Sequence, residues 1–78
     1  MRTRTAKRTR PADLRFEEIS PGLFTFRPAT ARGRKWTEAN VILEPWQWQG
    51  GRFVVESLRC AAELAEGARA DGLSVRPE

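Results

Sequence analysis

Apolar and polar residues alternate through "LRFEEIS" (14–20) and "LFTFRP" (23–28), the period-two pattern of half-buried strands. Between them, Ser20-Pro21-Gly22-Leu23 places proline and glycine for a type II turn, predicting an antiparallel pair. "ATARGRK" (29–35) carries no apolar period and reads as a basic loop, and "WTEANVILE" (36–44) reads as a third strand. "WQWQ-GG-RFVVE" is the strongest hairpin signal, two strand-like runs around a two-residue glycine turn. From Ser57 the period becomes helical. "SLRCAAELAEGARAD" opens on an N-cap serine and stops at Gly72, with Leu73 placed for a Schellman contact near Ala68. "LSV" (73–75) predicts one last short strand. The expected fold class is α+β, an antiparallel three- to four-stranded sheet with one C-terminal helix packed on one face. Residues 13–78 form the single domain, and residues 1–12 a disordered basic N-terminal arm.

The glycine turn sets a register. Gln49 should pair with Arg52, Trp48 with Phe53, Gln47 with Val54 and Trp46 with Val55, which puts Trp46, Trp48, Phe53 and Val55 on one face. A bulge near Glu44-Pro45 would bring Ala39, Val41 and Leu43 onto that face too. The helix offers a stripe of Leu58, Ala61, Ala62, Leu64, Ala65 and Ala68, mostly small. Large side chains must therefore come from the sheet, so Phe24, Phe26, Trp46, Trp48 and Phe53 are the expected core, with Cys60 partly buried at the stripe's edge.

Charge is unevenly distributed. Of 14 basic and 10 acidic residues, Arg2, Arg4, Lys7, Arg8 and Arg10 lie in the first ten positions, which hold no acid. The other nine basic residues fall one short of the ten acids, so the arm carries the whole net charge of +4. An Arg/Thr-rich arm without large apolar residues has no packing reason to fold and is attracted to phosphate. There is no histidine and one cysteine, which excludes His-dependent catalysis and the usual zinc ligand sets. No phosphate-binding glycine loop is present, and Glu17, Glu18, Glu38, Glu44 and Glu56 read as solvated strand positions. The expectation is a non-enzymatic protein without a cofactor. The longest aliphatic runs, Val41–Leu43 and Phe53–Val55, are too short for a membrane span. No apolar stretch follows the basic start, so the expected location is the cytoplasm. Twelve arginines against two lysines, with many alanines, fit a GC-rich bacterial or phage genome.

Candidate binding residues fall into three sets. The arm would supply salt-sensitive affinity. Arg32, Arg34, Lys35 and Trp36 place cations beside an aromatic, suiting phosphate contact and base stacking, though Trp36 also suits capping the sheet's end. The outer sheet face should display Arg15, Thr25, Arg27, Gln47, Gln49 and Arg52, and arginine and glutamine make bidentate contacts with guanine and adenine. A sheet plus one helix resembles, in architecture, DNA-binding domains of the AP2 type and phage integrase N-terminal domains. That resemblance implies groove recognition by the sheet across residues 14–71 and carries no residue roles. The expected partner is nucleic acid, or alternatively a host protein bound by a small phage or mobile-element module. A homodimer through an open sheet edge or the Ala-rich helix is a further expectation.

Overall fold

The computed structural model describes residues 12–78, so the basic arm lies outside the described residues apart from its last position, Ala12, which is fully buried. The elements are β1 (Leu14–Ser20), β2 (Leu23–Pro28), α1 (Ala31–Asn40), a 3₁₀ turn (Pro45–Gln47), β3 (Trp48–Gln49), β4 (Arg52–Val55), α2 (Leu58–Ala70) and β5 (Val75–Pro77). The fold is α+β, with strands in the order β3-β4-β2-β1-β5. Neighbours are antiparallel except β5, which pairs parallel to β1. Among the described residues the sheet is thus five-stranded and mixed, with two helices, not antiparallel with three or four strands and one helix. It does not have the single-helix arrangement behind the AP2-type resemblance.

Local turn chemistry explains the parts that match expectation. Gly22 takes φ 78° after Pro21, as the type II turn requires. Gly50 and Gly51 both take positive φ, 60° and 83°, the requirement of a type I′ hairpin turn. Trp48 accordingly pairs with Phe53 and Gln49 with Arg52. The Ser57 side chain caps α2 by accepting from Cys60 N at 3.0 Å. The helix ends with Leu73 N on Ala68 O and Gly72 N on Arg69 O, a Schellman pair.

The largest departure covers residues 29–44. Thr30 caps a ten-residue helix, its hydroxyl accepting from Gly33 N at 3.0 Å. Ala31, Arg32, Arg34, Lys35, Glu38 and Ala39 are good helix formers, but the buried face is Gly33, Trp36 and Thr37. Those three share a face by helical spacing, yet a glycine and a threonine give no hydrophobic period to read. The expected basic loop and the first half of the expected third strand are therefore one helix. The β-branched run Val41-Ile42 ends it, with Val41 extended at φ −119°.

Asp13 is the junction that seats α1. Its carboxylate accepts from Thr30 Oγ1 at 2.7 Å and from Ser74 N at 3.0 Å, joining the start of β1, the cap of α1 and the turn before β5. Gly33 lies so close that a Cβ there would collide with the Asp13 carbonyl oxygen.

The core is Leu14, Phe24, Phe26, Phe53, Val55, Ala61, Ala68, Leu73 and Val75, with Phe16, Trp36 and Leu64 packed against it. One row of rings crosses four strands. Phe16 and Phe26 lie 5.9 Å apart, Phe26 stacks on Phe53 at 5.6 Å, and Trp48 meets Phe53 edge-on at 5.5 Å. The phenylalanines are core as expected, but the tryptophans are not: Trp46 is 54% exposed and Trp48 41%. Pro45 starts a 3₁₀ turn, so β3 shrinks to two residues and the Trp46–Val55 pairing never forms. Helix α2 packs over β2, β4 and β5, and the Trp46 and Trp48 indoles stay largely in solvent. The stripe on α2 is also wider than the surface it meets, leaving Leu58 67% exposed and Cys60 exposed instead of partly buried.

Candidate nucleic-acid interface

Strand alternation turns the residues flanking the aromatic row to the opposite side of the sheet. Arg15 pairs in register with Arg27 on β2 and with Arg76 on β5. Arg27 lies one step past the Phe26–Phe53 pair, beside Arg52, and Arg52 pairs with Gln49. Gln49, Arg52, Arg27, Arg15 and Arg76 therefore form a single transverse row over all five strands. At about 4.8 Å per strand, the four arginines span about 14 Å. Both helices bear on the aromatic side, where Ala61 and Ala68 of α2 are core and Trp36 of α1 packs against it. Among the described residues no helix covers the arginine face.

The second row on this face is Glu17, Thr25 and Val54. Thr25 is buried, and among the described residues its Oγ1 has no hydrogen-bond partner. The acid that shapes the face is Glu78. Its Oε2 accepts from Arg52 Nη1 at 2.8 Å and from Arg27 Nε at 3.1 Å, and its Oε1 from Arg27 Nη2 at 3.2 Å. The hydrogen bond from Arg27 holds the Glu78 carboxyl below the usual carboxylate range, against partial desolvation and with help from Arg52. Arg27 is raised in return by the same hydrogen bond. Arg15 donates to Pro77 O at 2.9 Å, and Glu78 N to Phe16 O at 2.8 Å, which fastens Pro77 and Glu78 along β1.

The expected site residues do not all converge. Arg27, Gln49 and Arg52 lie on the open face, whereas Gln47 does not. Its Oε1 accepts from Glu44 N at 2.7 Å and its Nε2 donates to Val54 O at 3.0 Å, so it stabilises the 3₁₀ turn. Gln49 Nε2 also donates locally, to Trp46 O at 3.1 Å. Arg32, Arg34, Lys35 and Trp36 belong to α1, away from the arginine row. Arg32 donates to Gly72 O at 2.6 Å, beside the C-terminus of α2 where a cation suits the helix dipole. The Trp36 indole donates to Asp71 Oδ2 at 2.7 Å and its ring lies over Gly67, so it joins α1 to α2. Arg34 and Lys35 are exposed. Arg2, Arg4, Lys7, Arg8 and Arg10 lie outside the described residues.

Sequence reading missed Arg76 and Glu78. Their signal was the alternation Leu73, Ser74, Val75, Arg76, which extends the last strand past residue 75 and sends Arg76 outward. On the aromatic side, a groove of about 200 Å³ is lined by Phe16, Phe24, Phe26, Leu58 and alanines of α2, with Arg69 as its polar residue. Among the described residues no three His, Cys, Asp or Glu side chains cluster, and no helix is long and apolar enough to cross a membrane. No family model, curated protein or solved structure matches this chain.

Proposed function

We propose that this chain is a small non-enzymatic nucleic-acid-binding protein whose binding surface is the open arginine face of the sheet. The observation that carries the reading is the row Arg52–Arg27–Arg15–Arg76, held by strand register on a face that no helix covers among the described residues. Adjacent like charges on neighbouring strands oppose folding, so their alignment suits an anionic partner better than it suits the isolated domain. Arg34 and Lys35 on α1, and the arm residues Arg2, Arg4, Lys7, Arg8 and Arg10, add electrostatic reach.

The test is fluorescence anisotropy with labelled duplex DNA, single-stranded DNA and RNA, repeated from ~50 to ~200 mM salt. If all four row arginines meet phosphates on a duplex, they contribute about −3.6 to the slope of log affinity against log salt, and the arm adds to it. Absence of binding to every probe at the lowest salt rejects the reading.

A second reading, a protein-binding module of phage or mobile-element type, is favoured by the exposed Trp46 and by Ile42, which is 99% exposed. Under it, a partner recovered by pull-down persists after nuclease treatment and is lost with Trp46→Ala or Ile42→Ser. Under the first reading, nuclease removes whatever is recovered.

A further inference from the structure

We propose that Arg27 and Arg52 form an oxyanion clamp for a phosphate group, and that Glu78 occupies this clamp as an internal stand-in which an incoming phosphate displaces. The inference rests on the reading of the open face as a phosphate-binding surface and adds how one part of it is regulated.

The geometry is that of a filled anion site. Arg27 presents Nε and Nη2 to the two Glu78 oxygens at 3.1 and 3.2 Å, the side-on fork that guanidinium uses for carboxylate and phosphate alike. Arg52 Nη1 reaches the same Oε2 at 2.8 Å, so two guanidiniums from adjacent strands converge on a single oxygen. A phosphate offers a third acceptor oxygen to the same donors. The occupant is also built to leave. Its backbone is fixed by Glu78 N on Phe16 O, so the carboxylate can swing away by side-chain rotation without unpairing β5. Both arginine side chains remain more than a third exposed, 36% and 39%, which leaves a path for a ligand. Exposed ion pairs are individually weak, so an anion with more charge can compete. Glu78 thereby lowers affinity for any phosphate and makes clamp occupancy depend on expelling it.

The experiment uses the full chain as wild type, Glu78→Gln, Glu78→Ala, and Glu78→Ala combined with Arg27→Gln and Arg52→Gln. Two probes are titrated, inorganic phosphate followed by NMR of arginine Nε–H resonances, and a labelled duplex followed by anisotropy. Amide spectra confirm that each variant is folded, and Glu78→Gln preserves side-chain size. The expected result is that phosphate perturbs Arg27 and Arg52, with a midpoint about threefold to fivefold lower in Glu78→Gln and Glu78→Ala than in wild type. The duplex should gain a similar factor, and the combined variant should lose it. Unchanged midpoints in both Glu78 variants overturn the clamp. So does a duplex gain that persists in the combined variant, since that is a general charge effect. If phosphate enters the clamp more readily without Glu78 while no variant binds duplex, the clamp stands for free phosphate and the nucleic-acid reading fails.

Discussion

Replacing Arg76 with glutamine, and separately Arg59 with glutamine, removes one positive charge from opposite sides of the sheet. Arg76 ends the arginine row on β5, whereas Arg59 lies on α2 with its side chain 88% exposed. Arg59 pairs with Glu63 at 3.7 Å, an exposed pair that contributes little to folding. Net charge changes identically in the two variants, so a nonspecific electrostatic attraction predicts equal effects. Direct contact between the row and phosphate predicts a difference. One lost duplex contact reduces the salt slope by about 0.9, which between ~50 and ~200 mM amounts to a factor of about 3.5 in affinity. Anisotropy titrations at four salt concentrations resolve that change. Arg76→Gln should flatten the slope by about that amount, and Arg59→Gln should leave it unaltered. Equal slopes for the two variants would refute the assignment of the open face as the binding surface.

Three further outcomes test the fold around the site. Gly33→Ala should destabilise by about 1–3 kcal/mol in urea unfolding, because the added Cβ meets the Asp13 carbonyl. At an unobstructed helix position the same change should instead stabilise. Asp13→Ala should cost about 1.5–3 kcal/mol, since it strands the Thr30 hydroxyl and Ser74 amide that the buried carboxylate holds. The Glu78 pair sets a pH dependence whose sign follows from its lowered carboxyl pKa. Its stabilisation is fully present above the ordinary carboxylate pKa and is lost as pH falls through the lowered value. The gap in unfolding midpoint between wild type and Glu78→Gln should therefore close on acidification, and a gap independent of pH contradicts the pairing.

What the sequence made legible follows from which signals are local. Gly50-Gly51 fixed the hairpin and its register because positive φ at both positions admits little else. Ser57, Gly72 and Leu73 marked both ends of α2 for similar reasons. The face assignment of Arg15, Arg27, Gln49 and Arg52 needed only strand parity. Helix α1 was hidden because its buried face is Gly33, Trp36 and Thr37, residues chosen for closeness and hydrogen bonding, not hydropathy. The tryptophans misled for a different reason. Parity placed Trp48 on the correct side of the sheet, but no local signal states how far a helix reaches across it. Pro45, read as the end of a strand, is the start of the turn that frees Trp46 from pairing. The clamp was illegible because Glu78 meets Arg27 and Arg52 only after β5 docks parallel to β1, a contact between positions far apart in the chain.

The two faces of the sheet explain why so small a domain carries aligned arginines. Like charges directly opposite on neighbouring strands oppose pairing by about 0.2–1 kcal/mol each. The row holds three such neighbours, Arg52–Arg27, Arg27–Arg15 and Arg15–Arg76, and Glu78 offsets the first. One residue away, the same strands carry Trp48, Phe53, Phe26 and Phe16 on the other face, where ring contacts favour the same pairings. The aromatic row thus compensates for the repulsion its neighbour creates, and sequence selected for stability alone would not retain the repulsive side. Arg76→Thr isolates the trade. It removes one like-charge pair and introduces a β-branched residue, so the thermal midpoint should rise by an amount equivalent to about 0.2–1 kcal/mol while duplex affinity falls. A variant that gains stability and keeps full affinity would show that this arginine is retained for some purpose other than binding phosphate.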